Sequence, residues 1–284
     1  MPTEQSPTVR RRRLALELRR LREAARLTCE EVAEHLECSA SKISRVETGR
    51  VSVSPRDVRD MLELYGVPEQ QRDSLVQLSR DSRQKGWWHA YSDPVNPQFT
   101  TYVGLESAAS EIRVYEVNII PGLLQTEDYA SAVLALGDFS PEDAERHVLI
   151  RKERQRRFAR GDLKLWVIIE EPALRRPVSD ARIQRGQIQY LLEASERPNL
   201  TLQVVPYGVG GHAVPSGFSV LRFGDRELPD IVYVEHLTSA LYLDRQSDVD
   251  QYMLAMERLS IVSAQPSATP DILKSIIIEL AEER

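Results

Sequence analysis

Apolar side chains recur along the first 80 residues at the three- and four-residue spacing of helices. Leu14, Leu18, Leu21 and Ala25 make one stripe about four turns long. Thr28 opens TCEEVAEHL, and with Glu31 it has the form of a capping box ahead of Val32, Ala33 and Leu36. Ser39 is a good N-cap for a third helix in which Ile43 and Val46 share a face, and Gly49 stands where a C′ glycine belongs. Ser54 and Pro55 start a fourth helix with Val58, Met61, Leu62 and Tyr65 inside, and a fifth runs from Pro68 to about Lys85 with Leu75 and Leu78 buried.

The periodicity stops at KGWWHAYSDPVNPQF. Beyond it, residues 100–117 and 126–137 read as helices bracketing the turn IIPGLLQ, and 141–160 as a charged helix. LKLWVIIEE is a strand, 179–195 a helix, and NLTLQVVPY, GFSVLRFG and DIVYVEHL are strands separated by Gly/Pro turns, with ALYLD as a short extra strand. A long helix follows over 246–262. Strands succeeding one another through tight connections imply a mostly antiparallel sheet. The pattern divides the chain into an all-α domain of five helices over 10–80, a larger α+β domain over 86–262 and a helical tail over 263–284, whose ILKSIIIEL is apolar enough to pack.

Two short capped helices joined by Glu37, Cys38 and Ser39 make a helix-turn-helix, an arrangement that lays its second helix in the DNA major groove. Ala40 and Ser41 are small enough to approach base edges, and Arg45, a turn further on, has the fork suited to guanine O6 and N7. Ser39, Lys42, Ser44, Thr48 and Arg50 are placed for the flanking phosphates, as is the backbone N–H of Cys29. A helix that is polar only because it is exposed is the plainer alternative. The stretch LTCEEVAEHLECSASKISRVETGR resembles the Xre-type, repressor-like helix-turn-helix family, whose usual pattern is close to LTQEELAEALGVSRSTISRIERG. It departs at Cys29, where the family prefers a phosphate-contacting glutamine, and at Ala40, where a larger side chain often reads a base. The resemblance implies a double-stranded DNA operator as partner, and a homodimer.

Charge sharpens this reading. The net charge is −6, yet the first 60 residues hold 13 Lys and Arg against 10 Asp and Glu, so the acidity lies in the remainder. Arg10, Arg11, Arg12 and Arg13 precede the stripe of the first helix and read either as a solvated terminus or as an arm adding phosphate or minor-groove contacts. Cys29 and Cys38 are too few for a metal site and read as reduced thiols; no metal and no cofactor is expected. No apolar run approaches the length of a membrane span, and no apolar segment follows the N-terminal charges, so a cytoplasmic, nucleoid-associated protein is expected.

The α+β half offers little chemistry. Glu170 and Glu171 are adjacent strand residues that point to opposite faces, while Glu235 could approach one of them across the sheet. The glycines of YGVGGHAVPSG lead into a strand, not a helix, so they form no phosphate cradle, and His212 among them reads as part of a flexible loop. Trp87 and Trp88 either roof a ligand pocket or seal a domain junction. Pro121 and Gly122 make a helix–helix connection, in which Gly122 relaxes the backbone, or a partner-binding turn. The order of elements from about Gly86 to Leu259, above all YEVNIIPGLLQTEDYA, resembles the C-terminal domain of actinobacterial WhiJ-like, antitoxin-like regulators. In that family the domain has no settled biochemical activity, and the resemblance implies a regulator encoded beside a small partner protein. The expectation is a transcriptional regulator, not an enzyme, whose C-terminal domain controls dimerisation and answers to a small-molecule effector or a small protein encoded nearby. An antitoxin-like protein that chiefly binds such a partner, or an enzyme using Glu171 and Glu235, would be the alternatives.

Overall fold

The computed structural model describes residues 6–91, 97–209, 212–225 and 228–282. They form two units, Met1–Ala90 with Val103–Ala108, and Tyr91–Tyr102 with Ala109–Arg284. The first holds five helices: α1 (Pro7–Ala24), α2 (Cys29–His35), α3 (Ala40–Glu47), α4 (Pro55–Leu64) and α5 (Glu69–Ser82). The expected stripes meet in one core of Leu14, Leu18, Val32, Ile43, Val46, Val58, Met61 and Leu62, with Tyr65 and Val76 at its margin. On α5 the fully buried positions are Val76, Ser79 and Ser82; Leu75 and Leu78 only flank the core.

Helix α1 starts earlier than its leucine stripe suggests. Ser6 caps it, accepting from Val9 N at 3.4 Å, and Pro7 occupies the first helical position. Arg10, Arg11, Arg12 and Arg13 therefore lie inside a helix and form no arm. They are half-buried; burial, then the neighbouring Arg12 charge, holds the Arg11 guanidinium below its usual value.

The helix ends are built alike. Gly49, at φ +67°, closes α3 by a pair of backbone bonds, Gly49 N to Val46 O and Arg50 N to Arg45 O, both 2.9 Å. The same closure ends α2 with Glu37 at φ +49° and α1 with Arg26 at φ +57°, where a side chain pays the steric cost glycine avoids. A buried ion pair then ties α1 to α3. Arg22 Nε and Nη2 donate to the two Glu47 carboxylate oxygens at 2.7 and 2.8 Å, and Arg22 Nη1 donates to Leu27 O at 2.7 Å. The side chains are 12% and 4% exposed, and the hydrogen bonds to Glu47 raise the already high pKa of Arg22 further.

The second unit is α+β. A six-stranded sheet has the order β3-β2-β1-β4-β5-β6, formed by Glu111–Glu116, Lys164–Glu170, Leu200–Val205, Phe218–Arg222, Ile231–Glu235 and Ala240–Leu243 as β1 to β6. The pairings β1–β4, β4–β5 and β5–β6 are antiparallel, as tight connections predict, while β1–β2 and β2–β3 are parallel. Parallel strands require crossovers, and the chain supplies them as α7 (Glu127–Ala135) with α8 (Pro141–Ala159), then α9 (Glu171–Arg175) with α10 (Ala181–Ala194). The mixed character comes from β1, which the sequence reading places inside a helix over 100–117. Helix α6 (Pro97–Glu106) stops before it, and EIRVYE is the central strand, its Ile112 and Val114 facing one side and its Tyr115 the other.

One sheet face packs Tyr115, Ile168, Phe218, Val220 and Val232 against Val249, Met256 and Leu259 of α11 (Gln246–Val262). The helical stretch after residue 263 packs, as ILKSIIIEL predicts: α12 (Thr269–Glu282) buries Leu273, Ile276 and Leu280, Thr269 Oγ1 donates to Leu202 O at 2.8 Å, and Glu279 pairs with Arg175.

Replacing Glu47 by Gln leaves the Arg22 charge buried without its counter-ion. This substitution is expected to destabilise the N-terminal unit by about 3 kcal/mol, read as faster amide hydrogen exchange in α1 and α3 with unchanged exchange in the sheet.

Candidate nucleic-acid interface

The interface candidate is set by what α3 turns inward. Ile43, Val46 and Glu47 are buried, so Ser41, Ser44, Arg45 and Thr48 are left exposed on the other side of two turns, with Arg50 exposed just beyond the closing glycine. Ser39 caps the helix, accepting from Lys42 N at 3.2 Å. The capping box of α2 is formed in full: Glu31 N donates to Thr28 Oγ1 (3.2 Å) and Thr28 N to Glu31 Oε2 (2.7 Å), and this backbone bond first of all lowers the Glu31 pKa. The turn between the helices is fixed at both its ends, by the Glu37 closure of α2 and by the Ser39 cap of α3.

Arg45 Nε rests on the Ser41 carbonyl at 3.3 Å, and no carboxylate engages its guanidinium among the described residues. Thr48 Oγ1 donates back to Ser44 O at 2.9 Å. Lys42 is half-exposed and leans away from the others, 3.2 Å from Asp57 Oδ2. Burial would raise Asp57, but hydrogen bonds from Ser54 and Lys42 prevail and hold its carboxyl below the usual range. Ala40 is half-buried against the core, so it contributes less outward surface than its place at the helix start suggests. Cys29 also packs its side chain against the core; its backbone N–H stands at the first position of α2, and burial pushes its thiol pKa up. Both cysteines are free, and no cluster of three metal-ligating side chains occurs among the described residues.

The candidates of the second half scatter. Trp88 is buried within the N-terminal unit against Gly86 and Gly104, and Trp87 Nε1 donates to Ser107 Oγ at 3.3 Å. Glu171 accepts from Arg175 Nε (2.6 Å) and Tyr207 N (2.7 Å). Glu170 accepts from Tyr115 Oη at 2.8 Å and lies 2.7 Å from His212 Nε2. Val214 N donates to His212 Nδ1 at 3.3 Å, which leaves Nε2 to carry the proton toward Glu170. His212 is therefore anchored, not loosely held in a loop. Glu235 meets neither of these glutamates; its neighbour is Glu116.

Glu116, Glu235, Pro121 and Gly122 line one cavity of about 140 Å³ in the second unit, together with Arg151 and Arg154 of α8. The segment carrying Pro121 and Gly122 links a strand to a helix, not two helices. It is held by glutamines: Gln125 Nε2 donates to Ile120 O, Gln155 Nε2 to Gly122 O and Gln125 O, and Gln187 Nε2 to Leu124 O. Gly122 serves here by lacking a side chain, since a Cβ would meet Arg151 Nε at 3.3 Å and Arg154 Nη1 at 3.5 Å.

A helix-turn-helix domain model matches residues 13–75, and a model of a domain of unknown function, DUF5753, matches residues 99–275, more than half of the chain. The chain belongs to the DUF5753 family. No curated protein and no solved structure matches it. The helix-turn-helix match supports a DNA-binding regulator, and its span holds every α2 and α3 residue described above. Among the described residues no helix is long and apolar enough to cross a membrane.

In the DUF5753 domain the groups that sequence reasoning missed are Glu116, Arg151 and Arg154. Glu116 sits in YEVNIIPG, a stretch singled out for its turn, and the arginines lie in LIRKERQRR, which reads as a plain charged helix. Burial, then the Glu235 carboxylate, pushes Glu116 up to about 8. A carboxyl whose pKa is raised on folding favours the folded state below its unfolded pKa, near 4.5, and that contribution is lost as pH rises through about 8. Glu116→Gln is therefore expected to flatten the decline of thermal stability between pH 5 and 8, so that the variant gains on the parent as pH rises. Parallel melting curves over that range check it.

Proposed function

We propose that this chain is a sequence-specific transcriptional regulator of the Xre type, acting in the cytoplasm on a double-stranded operator. The observation that carries the proposal is the exposed side of α3, where Ser41, Ser44, Arg45, Thr48 and Arg50 present donors while Glu47 is locked to Arg22 behind them. Arg45 reads a guanine in this reading, Ser41 approaches a neighbouring base edge, and Lys42, Ser44, Thr48 and Arg50 grip phosphates. One small domain making few base contacts binds weakly. A homodimer with recognition helices one DNA turn apart, ~34 Å, gains affinity through effective concentration.

The C-terminal domain, similar in its order of elements to the actinobacterial WhiJ-like group, controls that dimerisation and responds to a small molecule; the polar-lined cavity supports an effector of that kind. No catalytic step is assigned to it. Glu170 and Glu171, the adjacent carboxylates, are each committed to separate partners.

Mapping the bound sites of the full chain on its own genome supplies the operator for the test. Arg45→Ala is expected to cost about 1–3 kcal/mol on that operator and little on random duplex DNA, measured by fluorescence anisotropy at fixed salt. An equal loss on both would make Arg45 a phosphate contact, and no operator enrichment at all would overturn the regulator.

A further inference from the structure

The register of the sheet brings two carboxylates together over a glycine. Tyr115 pairs with Phe218 and Ser219 with Tyr233, so one step further along the first ladder and two along the second Glu116, Gly217 and Glu235 lie in a row across β1, β4 and β5. A Cβ at Gly217 would stand 3.0 Å from Glu116 Oε2 and 3.0 Å from Tyr115 O. The missing side chain is what allows the Glu116 carboxyl to lie over the middle strand. In the same cavity, Gly122 in turn leaves room for the guanidinium groups of Arg151 and Arg154. Aromatic rings stand beside them: the Tyr102 ring lies 4.5 Å from that of Tyr233, and the Arg154 guanidinium sits 5.5 Å over Tyr102.

We propose that this cavity binds a small free amino acid as a zwitterion, its carboxylate toward Arg151 and Arg154 and its ammonium between Glu116 and Glu235. Size agrees. A cavity of about 150 Å³ accommodates benzene, so 140 Å³ suits a ligand of roughly six to ten non-hydrogen atoms. Charge agrees too, because two cations and two carboxyl groups lining one cavity match a ligand carrying both charges better than a simple amine or a simple acid. Like-charge repulsion between the glutamates is relieved by an ammonium placed between them. The groups facing Glu116 are Glu235 and Tyr233 from β5, Tyr129 from α7, Arg151 and Arg154 from α8, and Tyr102 from α6. Burial, then the Glu235 carboxylate, raises the Glu116 carboxyl toward neutrality, so seating the ammonium expels its proton.

The site deepens the reading of the C-terminal domain as effector-responsive and rests on that reading only for its effect on DNA, not for binding. The test is calorimetric titration of the full chain at pH 7 with alanine, serine, aspartate and γ-aminobutyrate, and with propionate and ethylamine as the two halves of alanine. At least one zwitterion is expected to bind one per chain, about tenfold or more tighter than either half. Its affinity is expected to fall as pH drops from 8 to 6, and that dependence to vanish in Glu116→Gln. Glu235→Gln, at an exposed position that spares the core, is expected to weaken binding at least about fivefold. Halves that bind as well as the zwitterions, no zwitterion bound at ~10 mM, or an unaffected Glu235→Gln would each overturn the site. Anisotropy on the operator with saturating ligand separates the two readings. Unchanged DNA affinity alongside intact ligand binding overturns the effector role alone, and absent ligand binding alongside normal operator binding overturns the site alone.

Discussion

The bidentate pair between Arg22 and Glu47 is the constraint on which the N-terminal unit turns. Apolar burial alone would hold α3 against its neighbours, but leucine-like contacts tolerate sliding and rotation by a fraction of a turn. Two parallel N–H···O bonds, with the remaining donor spent on Leu27 O, tolerate little of either. Desolvating both charges offsets much of their attraction, so the pair adds little net stability beyond what a well-packed apolar substitute would give. What it fixes is orientation. With Glu47 pinned inward beside Ile43 and Val46, Ser44, Arg45 and Thr48 are committed outward.

The N-terminal unit was legible because its signals are local. Capping residues, a closing glycine and three-to-four spacing each act within one turn of helix, and they need no knowledge of distant chain. The start of α1 escaped although Ser6-Pro7 is the same cap-and-proline signal as Ser54-Pro55; the arginine run after it, polar on every side, hid the helix. Lys42 and Ala40 were placed outward by helical phase, and their actual leanings depend on Asp57 and on the neighbouring core, which phase does not report.

In the second unit the decisive signals are long-range. EIRVYE has the alternation of a strand, yet it follows a helix with only a short break, and its partners in the sheet lie about fifty and a hundred residues downstream. Without β1 as the centre, neither the parallel half of the sheet nor the meeting of Glu116 with Glu235 can be drawn. Gly122 and Gly217 read as turn residues, but neither has a positive φ; each matters for the atoms that a Cβ would displace. Spacing along the chain carries information about such vacancies only when the neighbours across space are known.

The position of β1 also bears on how the chain is made. A helical bundle assembles from contacts near in sequence and forms quickly, and its last piece, Val103–Ala108 with the Ser6 hydroxyl bound to Gly104 O, emerges before any strand of the sheet. The central strand, by contrast, gains β2 only after about fifty further residues and β4 only after about a hundred, so one of its edges stays unsatisfied through all of that synthesis. A nascent chain therefore completes its helix-turn-helix unit well before its sheet, and chaperone demand during synthesis falls on the exposed flanks of β1.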